Sequence, residues 1–285
     1  MNNSVQTIPE MKAIHDNPSS HRGAQWFALL SHGFTKQNAI VPSVLVADGE
    51  YENRACRLIA VVPDLNNHFP RAVNGEVGLL ESMALAREVN AVVDADAHSE
   101  TKRALVLIVD VPSQAYGRRE ETLGIHQALA SAVSAYTNAR QNGHPIIALL
   151  VGKAMSGAYL AHGYQANRII ALSDEGVMVH AMGKAAAARV TQRTEAELDQ
   201  LAAENPPMAY DLKSYASLGL IDNLLPVESA TQPTPSDKHS VEQAITDALL
   251  DIQPKDTGIS RRLSGEHRQA SRQVRDLLKA QWTGA

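Results

Sequence analysis

The chain is 285 residues long, 44% hydrophobic and 20% charged, with a formal net charge of -5 and a sequence pI near 6.1. That is the composition of an ordinary soluble globular protein with room for one large or two small domains, and it lacks the basic field that nucleic-acid binding draws on. The 11 histidines fall into no HxxxH or CxxC grouping that suggests a metal site, and the lone Cys56 cannot form an internal disulfide.

From the N-terminus, "MNNSVQTIPEMKAIHDNPSSHRGAQWF" lacks the basic-then-apolar pattern of a signal peptide. No later apolar run approaches the roughly 18 residues of a membrane span, so a cytoplasmic protein with no membrane segment is expected. Strands are predicted at "SVLVADGEY" (43–51) and "CRLIAVVPD" (56–64), with Cys56 a small half-buried filler. A helical pattern covers "GEVGLLESMALAREVNAVVDADA" (75–97). The strand "ALVLIVDVP" (104–112) is apolar enough to be buried on both faces. Then come a helix in "GIHQALASAVSAYTNARQ" (124–141), the strand "PIIALLVG" (145–152) and a helix in "SGAYLAHGYQA" (156–166). "RIIALSDEGVMVHAM" (168–182) reads as strand, "AAAARVTQRTEAELDQLAAE" (185–204) as helix. Alternating strands and helices predict an α/β layered fold with crossover connections. The few aromatics, 4% of the chain, suit close helix-on-sheet layers. "ATQPTPSDKHS" (230–240) is polar and proline-bearing and reads as a linker, which divides the chain into a main domain over 1–229 and a linker with helical extension over 230–285. The extension carries two helical patterns, "VEQAITDALLDI" and "GEHRQASRQVRDLLKAQW", that pack on the main domain or on a neighbour.

Three stretches carry chemistry. In "DVPSQAYGRREETLGIHQ" a buried strand passes through a polar loop into a helix at Gly124-Ile125, and glycine at a helix start lets a ligand approach unpartnered amides. The bland alternative is an ordinary loop whose Arg118, Arg119, Glu120 and Glu121 are solvated. In "VGKAMSGAYLAHG" the same layout recurs, and the amides of Ser156, Gly157 and Ala158 either form an oxyanion hole or the small residues only permit tight packing. One such donor is worth about 2.7–4 kcal/mol at a transition state, so a site can depend on it without a reactive side chain. In "GVMVHAMGKAAAARV", His180 ends a strand as an acid, a base or a satisfied core residue. Gly183 precedes the next helix, and Lys184 in its first turn opposes the helix dipole unless it meets a carboxylate. Lys184, Gly183 and Tyr116 are candidate substrate-binding residues.

Taken in order, "RGAQWFALL", "SVLVADGEYENRACRLIAVVPDLNNHFPRAVNGEVGLLESMALA", "DVPSQAYGRREETLGIHQALASAVSAY", "VGKAMSGAYLAHGYQANRIIAL", "VMVHAMGKAAAARV" and "ENPPMAYDLKSYASLGLIDNLL" resemble the gamma subunit of bacterial malonate decarboxylase over most of residues 22–226. The resemblance implies a crotonase-like fold, a spiral of ββα units with curved sheets flanked by helices. It implies a carboxy-lyase component that works as a heterodimer with a beta subunit, alongside an acyl carrier protein subunit and an alpha transferase subunit. The chain itself would bind no cofactor. Its substrate thioester would ride on the phosphoribosyl-dephospho-CoA prosthetic group of the carrier protein, and decarboxylation would leave acetyl thioester and CO₂ through an enolate. Related carboxyltransferases form paired backbone oxyanion holes, one matching Gly157-Ala158 with the Ser156 amide beside it, the second matching Gly124-Ile125. Two alternatives from the same resemblance are a carboxyltransferase subunit of a biotin-dependent malonate decarboxylase and a non-catalytic scaffold for the beta subunit.

The same turn is similar to that of Clp-type serine peptidases, but aligning its Gly-Ala with Gly157-Ala158 sets the peptidase serine opposite Met155 and its histidine at His180. A histidine without that serine cannot run the mechanism. The basic C-terminal helix, with Arg261, Arg262, Arg268, Arg272 and Arg275, is either a solvated face or a docking surface for an acidic carrier protein.

Overall fold

β-Branched and aliphatic runs form the strands, and their register builds one eight-stranded mixed sheet. The computed structural model describes residues 20–253 and 257–283; the stretch 1–19, read above for a leader, lies outside them. A short strand Thr35–Gln37 (β1) pairs antiparallel with Val44–Tyr51 (β2), and β2 with Arg54–Val61 (β3). The β2–β3 hairpin turns on Glu52 and Asn53 at φ of 45° and 67°, the left-handed pair that matches strand twist. From β3 the sheet turns parallel through Ala104–Val111 (β4), Ile146–Met155 (β5), Arg168–Leu172 (β6) and Asn223–Leu225 (β8). All eight residues of β4 are buried, as expected of a parallel strand covered on both faces. Arg22–Leu30 (α1) packs on β3, β4 and β5, while Leu79–Ala95 (α2) and Ile125–Gln141 (α4) pack on each other.

The sequence joined 168–182 into a single strand, but β6 ends at Leu172 and Met178–His180 (β7) is a separate strand. β7 does not extend β6: it pairs with Lys153–Met155 of β5. A bulge makes this exchange possible. Val109 of β4 faces Leu150 while Val111 faces Ala154, so Asp110 lies opposite residues 151–153. The Asp110 carboxylate accepts from the Lys153 amide at 3.1 Å, from the Gly23 amide at 3.2 Å and from the Ser20 hydroxyl at 2.5 Å. Gly152 is required there, because a Cβ on it would lie 2.0 Å from Asp110 Oδ1. The bulge aims the last three residues of β5 at β7 and at the turn that follows.

Other departures have local causes. The loop 112–123 contains a short helix, Arg118–Thr122 (α3), whose Glu120 is buried and whose Arg119 lies over the Phe69 ring, so this segment is not simply solvated. The helix after β5 is six residues long, Ser156–Ala161 (α5). The pattern over 185–204 splits into Lys184–Thr191 (α6) and Glu195–Glu204 (α7), parted by Gln192 at φ +55° and restarted by a Thr194–Glu197 capping box. After Leu212–Ser217 (α8) and β8, the expected linker is structured. Ala230 is buried and its carbonyl accepts from Trp26 Nε1 at 2.9 Å. Thr234 caps Pro235–Asp251 (α9), and the Asp237 carboxylate gathers the amides of Glu228, Ser229 and Thr234. Val241, Ala244, Ile245 and Leu249 of α9 join the core of the sheet. Cys56 is fully buried rather than half-buried, and burial pushes its thiol pKa up to about 12.

Candidate active site

The C-terminal ends of β4, β5 and β7 gather the residues singled out in the sequence. At the end of β5, Ser156 takes φ +55°, a left-handed conformation that costs a non-glycine residue roughly 1–2 kcal/mol and recurs at functional turns. Its hydroxyl donates to the Ala181 carbonyl just past β7. Met155, before it, is buried. The next amide, Gly157 N–H, donates to Gln114 Oε1 at 2.9 Å. Gln114 sits in the loop after β4, where it bridges to Val77. Space beside Gly157 is limited by the same Gln114 Oε1 at 3.4 Å and by Leu129 of α4 at 3.5 Å from an ideal Cβ.

The second turn is built differently. Gly124 takes φ +83° and caps α4, its amide donating to the Glu121 carbonyl at 3.1 Å. Gly124 and Gly157 therefore both spend an amide, one on main chain and one on a side chain. The first-turn amides of Ile125 and Ala158 have no partner within their helices. Leu129, one turn into α4, meets Gly157, so the two turns adjoin. Behind them His162 joins their helices, its Nδ1 accepting from Tyr136 of α4 and its Nε2 donating to the Ile108 carbonyl of β4, both at 3.1 Å. Complete burial drops the His162 pKa to about 4.

His180 pairs with Met155 across β5 and β7. Its Nδ1 accepts from the Met182 amide at 3.3 Å, and its ring stacks on Tyr210 with centroids 3.8 Å apart and planes 11° from parallel. Burial lowers its pKa, which keeps the imidazole neutral. The Tyr210 hydroxyl is buried and has no hydrogen-bond partner among the described residues, and desolvation raises its pKa. Lys184 resolves its dipole conflict inside the chain, pairing with Asp199 of α7. Gly183 caps α6 beside open space, and Tyr116 is exposed in the loop after Gln114. Among the described residues there is no cluster of metal-ligating side chains.

Sequence reasoning quoted Gln114 and Tyr210 without singling them out. A polar side chain within four residues of a buried strand's end was the available signal for Gln114. Nothing local marks Tyr210, whose role depends on the chain folding back onto β7. The arginines proposed as a docking face are mostly committed elsewhere. Arg261 pairs with Asp251 and Asp222, Arg262 donates to the Tyr164 and Ala166 carbonyls, Arg268 to Leu218, and Arg272 to Leu263 and Gly265. The first three anchor the C-terminal segment to the body, and Arg272 braces the segment internally.

The sequence profile of the malonate decarboxylase gamma subunit family matches residues 72–282, a stretch that holds both turns and the His180 strand. The chain belongs to this family. It is similar, at 56% identity and a TM-score of 0.85, to a chain of the Pseudomonas malonate decarboxylase MdcD–MdcE hetero-dimer, over 93% of this chain and 100% of that one. It is also 32% identical over 194 residues to the malonyl-S-ACP:biotin-protein carboxyltransferase MADD of Malonomonas rubra. That alignment takes in 67% of this chain and 66% of the relative, so the gamma-subunit chain spans just under two thirds of the curated protein it matches. Against transcarboxylase 12S the TM-score is 0.59 at 21% identity over 87% of this chain and 45% of that one, a likeness of fold alone. The fold is crotonase-like, with the central sheet flanked by helices.

Proposed function

We propose that the chain is the gamma subunit of a malonate decarboxylase that acts with a homologous beta subunit, converting a malonyl thioester on an acyl carrier protein to the acetyl thioester and CO₂. The observation that carries this reading is the 56% identity over essentially the full length of a chain that occurs in a malonate decarboxylase hetero-dimer. In the reaction the bond between the carboxylate carbon and the methylene carbon breaks. Its electron pair moves into the thioester as an enolate, CO₂ leaves, and a proton is added at carbon. The difficult species bears negative charge on the thioester oxygen, and fixed amide dipoles stabilise it without reorganisation.

The strained Ser156 turn supports that role. It presents the amides of Ser156, Gly157 and Ala158 at a strand end, and the oxygen resting on Gly157 is a neutral carboxamide carried on a rotatable side chain. A substrate oxygen replaces Gln114 Oε1 by rotation of that side chain, with no backbone rearrangement. The Ser156 hydroxyl, spent on Ala181, is not needed. The test is co-expression with a beta subunit followed by assay of malonyl-carrier turnover: the pair releases CO₂, and either chain alone does not. Full activity from this chain alone overturns the shared reading.

A second reading rests on the 32% identity to a malonyl-S-ACP:biotin-protein carboxyltransferase. Under it the carboxyl group passes to a biotinyl protein. CO₂ release by the pair with no biotinyl protein present excludes it.

A further inference from the structure

The C-terminal segment is held at its root and bare beyond it. At the root, a Cβ on Gly265 would lie 2.4 Å from the Leu218 carbonyl carbon and one on Gly219, at φ +70°, 2.5 Å from the Arg262 oxygen, so two glycines let the segment press against the end of α8. Arg268 fastens that contact through the Leu218 carbonyl, and Arg262 ties the same segment to the Tyr164 and Ala166 carbonyls. Beyond it runs the helix Gln269–Thr283 (α10), in which residues 273–282 are all exposed. Val274, Leu278 and Trp282 recur every four residues with Leu277 alongside, one apolar stripe on the helix. Their exposures are 55%, 60%, 87% and 57%, respectively, far above those of the chain's core residues. Isolated helices of this length are marginal in water, so a stripe of this kind gains stability only when something covers it.

We infer that the Val274–Trp282 stripe of α10 docks into an apolar groove of the beta-type partner subunit, a reading that rests on the hetero-dimer proposed above. Three observations favour that occupant over a second copy. The match to the gamma-subunit family runs through residue 282, so the helix belongs to the part of the chain the family shares. The stripe is small: four side chains, one an indole, bury at most roughly 500 Å². A stable pair needs about 800 Å² from each partner, so the stripe extends a larger interface rather than forming one. Charge disfavours self-pairing too. Arg275 and Lys279 occupy the helix edge next to Trp282, and an antiparallel pair of copies would set these basic edges against each other.

The experiment uses the full chain and a co-purified beta subunit, with association measured by calorimetry and light scattering. Because the stripe is exposed in the lone chain, Leu278→Asp and Trp282→Ala leave its Tm unchanged while each weakens hetero-dimer formation by about 30-fold or more. Asp276→Asn, on the opposite face of the helix, leaves association unchanged. Full-strength association of both stripe variants overturns the inference while leaving the proposed function intact. Self-association of the lone chain that the stripe variants abolish overturns it in favour of a second copy. If the unaltered chain does not associate with the beta subunit at all, the proposed function fails and the docking inference with it.

Discussion

The turns that open α4 and α5 each lead into a helix beside the ends of β4 and β5, yet they store strain and use their amides in opposite ways. After β4 the left-handed residue is Gly124, which adopts φ +83° at no steric cost, and its amide is tied to a main-chain carbonyl. After β5 the left-handed residue is Ser156, which pays for its conformation, and the neighbouring Gly157 amide is tied to the movable carboxamide of Gln114. A backbone acceptor cannot leave without unravelling α3, whereas a glutamine side chain leaves by rotation. Under the proposed function, ligand exchange falls to the Ser156 turn and support to the Gly124 turn.

The sharpest way to break this contrast is at Gly157. Gly157→Pro deletes the N–H, and in the assembled complex kcat should fall by about 10²–10³. Gly157→Ala keeps the amide, and its Cβ meets only ordinary contacts, 3.4 Å or longer, so it should retain most activity. An intact complex of the proline variant with near-normal turnover would sink the oxyanion assignment. The next largest effect concerns the link between the two helices, His162. Its folded pKa of about 4 lies below the unfolded value, so the unfolded chain takes up the proton first as pH falls. Stability is full above about pH 6.5 and declines toward pH 4 by on the order of 3 kcal/mol. Denaturant unfolding at pH 7, 5.5 and 4.5 measures this, and His162→Gln should flatten the slope. At the supporting turn, Gly124→Ala imposes left-handed strain of roughly 1–2 kcal/mol and crowds Gln127 Oε1, 2.2 Å from the new Cβ. It should lower Tm with a far smaller loss of kcat than Gly157→Pro. The smallest change belongs to Ser156→Ala, which removes one hydrogen bond worth about 1 kcal/mol and should leave turnover within about threefold. Severe loss of activity with assembly intact would instead make the hydroxyl a participant.

How legible all this was depended on locality. β4 and β5 announced themselves because a strand buried on both faces must be continuously apolar, as 104–109 and 146–151 are. The Ser156 turn was visible as small residues directly after β5, and the Gly124 turn as a glycine just before a helical pattern. What the sequence hid came from distant partners. β7 separates from β6 because Asp110, some seventy residues upstream, staples the β5 bulge and turns its end away from β6. The polar stretch 230–240 looked like a linker, and only the Trp26 indole and the Asp237 carboxylate explain why it is ordered. Gln114 stayed unremarked for the same reason, since its importance lies in an amide 43 residues away. For the basic run the sequence offered a solvated face or a docking surface, because a run of arginines gives no hint that carbonyls wait beneath it.

Asp110 also sets a boundary on how the protein can be shortened. One of its three donors, Ser20, and another, Gly23, come from the start of the described chain, far in sequence from the turn that the third donor helps to aim. Trimming just before Ser20 would leave the staple whole. Removing four or five residues more would strip two donors from a buried carboxylate, and the injury would surface 130 residues downstream as a misdirected end of β5.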